Sequence, residues 1–525
     1  MVYRASAMVL LLAMAAPGAA QLADPLAMTT DAGDQAVMAE AASAISSRTP
    51  DLARLNMVLA KLPRPTPLRG MVQTVRAGVL ANQKDAGPAV AAIEEALRLL
   101  PDDPRPKLVA AGIFTFSGSP QRAADLWIEV SRVAPDYARM TDRYMIMALA
   151  GRLVDIGDRV RADRLNARLA EIGFSTGVAP DRSHAALART REAWRDQRTE
   201  DAAASVSAIG DPNDLLTIYI DRGYADLWPR IADWAGPDLT GQNRRYLEEL
   251  RADWQTADSF ETAAPYARQL ASMQAYKAIT TLFLPMFDRV RPDPDAEQQE
   301  GAEFLAPIVA RALLLQGREA EARGLLANVA AAMPADDQGN ALNIDGAYLT
   351  LASLQTDWPE VVKRADLFLA RAKSLGPSVN RSATLQVEAW RACALHRLGR
   401  KDAAQRAAAN VFLAEALMPG TAMDLYLCRG DSAGARALVV SRLADPSSRD
   451  WALRFVQPVS ADLVVTPLDR LIKPVEQAVR SAPDVIAAAN KVGRILPQPL
   501  NRAIPEGFDP FRTRPSDKPL GPGSV

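Results

Sequence analysis

The chain is poor in the residues that carry catalysis. Among 525 residues there are two histidines and two cysteines, and His184 and His396 are separated by more than 200 positions. No His-Glu-x-x-His helix, Cys-x-x-Cys pair, phosphate-cradling glycine loop or nucleophile elbow occurs. The sequence therefore assigns no catalytic residue, no cofactor site and no metal site, and the expectation is a protein that is not an enzyme. Only a Ser/His/Asp site assembled from distant helices would escape such a search. The adjacent carboxylates Glu94-Glu95 and Glu248-Glu249 are no acid/base pair, because neighbours on a helix point ~100° apart. Aromatic residues are 6% of the chain and strand-forming runs of Val, Ile and Thr are scarce, which argues against a β architecture. The net charge of −1 provides no basic field for nucleic acid. After residue 20 no apolar run approaches the ~18 residues of a membrane span.

What is present points to packed helices. Hydrophobic residues make up 49% and charged residues 23%, the balance of a chain that folds, and much of the apolar share is alanine. The N-terminus reads as an export signal: Arg4 supplies a positive start, Met8 to Ala16 an apolar run, and Pro17-Gly18-Ala19-Ala20 a small-residue cleavage site. Cleavage is expected after Ala20, leaving Gln21 first in a periplasmic or secreted protein.

The strongest pattern is a repeat. Ala89, Ile93, Ala96 and Pro101 recur 34 residues later as Ala123, Trp127, Val130 and Pro135. A fixed period of that length marks an array of helical hairpins. The two units read as helices over Met71 to Ala81 and Pro88 to Leu100, then Pro106 to Phe116 and Pro120 to Val133, with Ser119 as a candidate N-cap. Alanines also recur twelve residues apart: Ala77 with Ala89, Ala111 with Ala123, Ala150 with Ala162, Ala310 with Ala322, and Ala392 with Ala404. Gly118, Gly157, Gly317 and Gly399 each sit five residues before the second alanine, at the turn inside a hairpin.

In these residues the chain resembles the tetratricopeptide repeat (TPR) family over about residues 30–457. The resemblance implies an all-α, right-handed superhelix of roughly ten hairpins, in which a small residue on helix A and another on helix B let the two backbones cross closely. The chain departs from the family in mostly lacking its aromatic residue early in helix A, and in spacing that stretches beyond 34 after Pro135. The resemblance also implies that ligands lie in a concave groove lined by helix A. Carried across unit by unit, the groove positions are Tyr144 and Met147, Phe304 and Arg311, and His396 with Arg397.

The rest of the chain divides as follows. Asp211 is an expected N-cap. Trp228 and Trp358 are expected to wedge helices at hairpin turns, with Trp127 in the core. Residues 289–299, rich in proline and acid, read as a longer loop or as a hinge between two half-arrays. Residues 458–496 form an expected helical cap, and the proline-rich stretch 497–525 a flexible tail unable to bury a core. Cys393 and Cys428 fall on helix A of adjacent units about one turn out of step, which leaves both a disulfide and two buried thiols open. The functional expectation is an exported scaffold whose partner is protein or peptide. The alternative is a cell-envelope enzyme or its accessory subunit, since some bacterial lytic transglycosylases carry a long α-superhelix beside a catalytic domain. A third reading is a bridge in surface-polymer or outer-membrane assembly.

Overall fold

The structure is a computed structural model. It describes residues 29–512, apart from residues 30, 48, 84, 175–177, 292–298, 335–336, 377–378 and 501–502 and the side chain of Tyr144. The expected signal segment with its Ala20–Gln21 junction, and residues 513–525 of the tail, lie outside the described residues. Among the described residues there are 27 α-helices, three short 3-10 turns and no strand. No described helix is long and apolar enough to cross a membrane. The described residues fall into two compact units, 29–174 and 178–512.

The first unit holds α1 (Ala32–Ile45), α2 (Leu52–Ala60), α3 (Pro67–Asn82), α4 (Ala86–Leu99), α5 (Pro104–Phe116), α6 (Pro120–Val133), the single turn α7 (Pro135–Ala138), α8 (Arg143–Asp155) and α9 (Arg159–Glu171). Helices pack on their successors and also on the next but one: α3 on α4 and α5, α6 on α8. The repeated alanines explain how. Ala77, Ala89, Ala111 and Ala123 are all fully buried, so each pair sits where two backbones approach. Trp127 is also fully buried, with its indole N–H donating to Thr141 Oγ1 at 3.0 Å.

The second unit runs through α10 (Ala179–Arg195), α11 (Thr199–Ser205), α12 (Pro212–Ile220), α13 (Trp228–Ala235), α14 (Thr240–Ala257), α15 (Phe260–Ser272), α16 (Tyr276–Phe283), α17 (Ala302–Leu315) and α18 (Glu319–Ala332). It continues with α19 (Gln338–Leu354), α20 (Trp358–Leu375), α21 (Arg381–Arg397), α22 (Lys401–Leu413), α23 (Pro419–Arg429), α24 (Ser432–Ala444) and α25 (Arg449–Phe455). The last two helices are α26 (Pro467–Arg480) and α27 (Pro483–Val492). Consecutive helices pair again, and α15 packs on α17, α17 on α19, and α21 on α23.

One turn recurs through both units. A residue in the left-handed region ends the first helix, and the next amide donates to the carbonyl five residues back. Gly118 (φ 90°), Gly157 (78°), Gly317 (76°), Gly399 (72°) and Gly430 (75°) hold this position, where a side chain would be strained. The closing bonds run from Ser119 to Phe114 (3.1 Å), Asp158 to Leu153 (2.8 Å), Arg318 to Leu313 (2.9 Å), Arg400 to Leu395 (2.9 Å) and Asp431 to Tyr426 (2.9 Å). The same bond closes Arg198 to Ala193, Ala275 to Leu270 and Asp357 to Ala352, where the left-handed residues are Gln197, Gln274 and Thr356. Asp211 caps α12, its side chain accepting from the Asn213 amide at 2.7 Å. Ser119 stands at the N-cap of α6 but makes no side-chain cap bond, because its ψ of 54° is far from the extended value that aims a hydroxyl at the first turn.

Three expectations change. The units divide between residues 174 and 178, and the elements flanking 289–299, read as a loop or a hinge, share one core, with Phe283, Phe287 and Val290 packed alongside Ala302 and Leu305. The C-terminal helices do more than cover one end. They pack on α23 and α24, and α25 packs on α12, so the last elements of this unit meet its first. Ile218 and Ile220 share a core cluster with Leu453, Val456 and Val485. The chain then pairs Gly493 with Asp221 in an isolated antiparallel bridge, and the Arg494 amide donates to the Ile220 carbonyl at 3.0 Å. The Arg494 guanidinium lies 3.5 Å from the Tyr219 ring centre and 4.1 Å from that of Trp228, while its Nε donates to the Tyr219 carbonyl at 2.7 Å. Third, part of the proline-rich stretch is anchored, with Phe508 and Pro510 buried against α14 and α15. Its own composition builds no core, but it supplies one anchor to a core built elsewhere.

Candidate functional site

The expected groove residues lie on α8 in the first unit and on α17 and α21 in the second. Met147 is half exposed on α8 in the first unit; the Tyr144 side chain lies outside the described residues. Phe304 and Arg311 lie on α17. Phe304 is partly buried against the core, and Arg311 is exposed two turns further on. His396 and Arg397 end α21. Burial holds His396 below its ordinary pKa, and Arg429, Arg397 and Lys401 push in the same direction, so the imidazole is neutral at pH 7. Arg397 turns inward, donating to the Cys428 carbonyl on α23, and burial lowers its pKa. This bond ties the half-buried Arg397 of α21 to α23. Cys393 and Cys428 are bonded as a disulfide between those same helices, with Cα atoms 5.9 Å apart.

Arg311 has neighbours that sequence reasoning missed. The Gln274 side chain donates to the Ala461 carbonyl (2.8 Å) and accepts from the Leu463 amide (2.6 Å), which pins the loop 458–466 to the α15–α16 turn. Burial raises the Tyr276 pKa, and Arg311, Asp462, Asp469 and Lys473 all act on it electrostatically. This brings α26 and its leading loop to the α16–α17 surface. Asp424 of α23 is half-buried and accepts from Gln386 Nε2 at 2.7 Å. Burial pushes its carboxyl up to about 6, with Glu476 of α26 adding to the rise. Glu303 at the start of α17 is pushed up to about 7, again chiefly by burial.

Ser183, His184 and Asp214 form a Ser/His/Asp grouping. Ser183 is fully buried, its hydroxyl donates to Asp214 Oδ2 (2.8 Å) and it accepts from the Asp211 amide (2.8 Å). His184 Nε2 lies 3.6 Å from the same carboxylate oxygen. A nucleophile needs its proton on the imidazole and its oxygen open to substrate. Here the hydroxyl is committed to the carboxylate, so the group fastens α10 to α12. Among the described residues no cluster of His, Cys, Asp and Glu could hold a metal ion.

The most site-like feature lies along α14 and α15, where side chains on helices hold a turn-containing chain segment by its backbone. Arg251 Nη1 donates to the Asp509 carbonyl (2.6 Å), Gln255 Nε2 to that of Arg512 (2.8 Å), and Tyr266 Oη to that of Pro510 (3.2 Å). The sequence signal was a row of polar side chains on α14 at Arg244, Arg251 and Gln255, which gives no hint of what it faces. No family model matches this chain, and no curated protein matches it.

Proposed function

We propose that the protein is an exported array of TPR-like helical hairpins that binds protein or peptide partners on preformed helical surfaces, without covalent chemistry. The observation that carries this reading is the recurring hairpin turn with its buried alanine pair. Residues that repeat are spent on stacking helices, which leaves a rigid frame whose variable side chains are free to read a partner. The disulfide between α21 and α23 is a bond suited to an oxidising compartment and supports export.

The test is a pull-down from cell-envelope extract with the full chain as bait, compared with Arg311→Glu and Met147→Glu variants. A partner retained by the wild type and lost with either variant supports the reading. Hydrolysis of peptidoglycan by the purified chain would replace it with the enzyme alternative.

A further inference from the structure

The segment on α14 and α15 is held in a particular way. Five side chains donate to it and every acceptor is a main-chain carbonyl: Asn243 Nδ2 to Leu500 (2.7 Å), Arg244 Nη1 to Glu506 (3.5 Å), and the three bonds from Arg251, Gln255 and Tyr266. A proline-rich chain has few N–H groups to offer and many free carbonyls, so a surface built to hold one should present donors. Asn243 is itself buried and is oriented by Gln269, whose Nε2 donates to its Oδ1 at 3.1 Å. Side-chain selectivity comes from one anchor. The segment makes a tight turn in which the Phe508 amide donates to the Pro505 carbonyl (3.0 Å), with Gly507 at φ 73°. Phe508 then enters the core beneath Arg251, whose guanidinium lies 4.7 Å from the ring centre. Four of the five donors lie on one helix, and the segment follows that helix in the same chain direction.

Main-chain donors with an aromatic pocket read a class of segment and not one covalent neighbour. We propose that the α14–α15 face is a peptide-binding site for irregular segments carrying a turn, a phenylalanine and a following proline, and that residues 503–512 occupy it in cis until such a segment displaces them. This deepens the binding reading above and rests on it for the existence of a partner. Its own support is the fit of residues 503–512.

The probe is a labelled synthetic peptide of residues 503–512, followed by fluorescence anisotropy with the full chain. Wild type should bind weakly, because a tethered tail competes at an effective concentration on the order of millimolar. A full-length Phe508→Ala, Pro510→Ala variant with a loosened tail should bind the peptide at least tenfold more tightly. A peptide carrying Phe508→Ala should lose at least tenfold on that variant, as should the native peptide when Arg251→Ala is added. Equal binding by wild type and loosened variant, or no binding by either, overturns the proposal. So does a concentration-dependent dimer of the loosened variant without peptide binding, which would assign the face to tail exchange between copies. Should the loosened variant misfold, hydrogen exchange on the wild type decides: excess peptide should accelerate exchange in residues 503–512, and unchanged exchange overturns the proposal. A negative result here leaves the Arg311-dependent pull-down intact, so the two readings fail separately.

Discussion

At the scale of the residue, the chain shows how a rule can be kept while its signature is lost. The hairpin turn needs one left-handed residue, and most copies use glycine for it. At Thr356 the same turn is made by a β-branched residue at φ 56°, a conformation that costs an L-residue roughly 1–2 kcal/mol. Thr356→Gly should therefore raise stability by about 0.5–1 kcal/mol after the greater flexibility of glycine in the unfolded chain is discounted. Urea unfolding of the variant against wild type checks this, and a loss of stability would show that the strain is relieved elsewhere. The same position explains what could be read in advance. Hairpins with Gly118, Gly157, Gly317 and Gly399 were legible because the turn announces itself. At Gln197, Gln274 and Thr356 the helix pairs could be read but the left-handed turn residue could not, because the backbone conformation there is imposed by packing and not chosen by the residue.

At the scale of the element, α26 shows where sequence reading stops. Its limits were legible from Thr466, which with Asp469 forms a capping box, and from Pro483 beyond its end. Its destination was not, because the groups it meets lie far off in the chain: Gln274, Tyr276, and Asp424 of α23. The bond of Arg397 to the Cys428 carbonyl was hidden for a similar reason, since helix periodicity gives a face but not the neighbour. The α23–α26 contact carries a pH dependence. Asp424 faces Gln386 of α21 and Glu476 of α26, and Glu476 is paired with Arg480 at 2.5 Å. The native state holds the Asp424 proton more tightly than the unfolded chain, with a pKa of about 6 against 3.8. Its contribution is thus fully favourable below about pH 4 and is lost as pH rises through 6, a change of about 3 kcal/mol. Asp424→Asn keeps an acceptor for Gln386 and cannot ionise. Unfolding free energies at pH 4.5 and 7 should therefore fall less steeply for the variant, and equal slopes would contradict the assignment.

At the scale of the molecule, the unit 178–512 is defined by its closure. The junction is tight at Gly493, where an added Cβ would strike the Ile220 carbonyl and the Leu453 side chain. Gly493→Ala should destabilise this unit by about 1–3 kcal/mol, as overpacking in a filled core does. It should also raise protease cleavage between residues 494 and 512 ahead of global unfolding. Uniform loss of stability without early cleavage would show that the junction does not hold the tail. The helical composition of this unit was legible in the sequence, but its closure was not: nothing at Gly493 or Asp221 marks them as partners more than 250 residues apart.

That closure bears on how such a chain can change over time. An open row of hairpins tolerates the gain or loss of a unit, because a new end replaces the old one. Where α25 must land on α12 and Arg494 must reach Tyr219 and Trp228, the number of hairpins between them is fixed by geometry. Duplicating or deleting one would pull the two ends out of register. Variation in this half of the chain is therefore confined to substitutions and to loops, and copy number, the usual currency of repeat proteins, is closed to it.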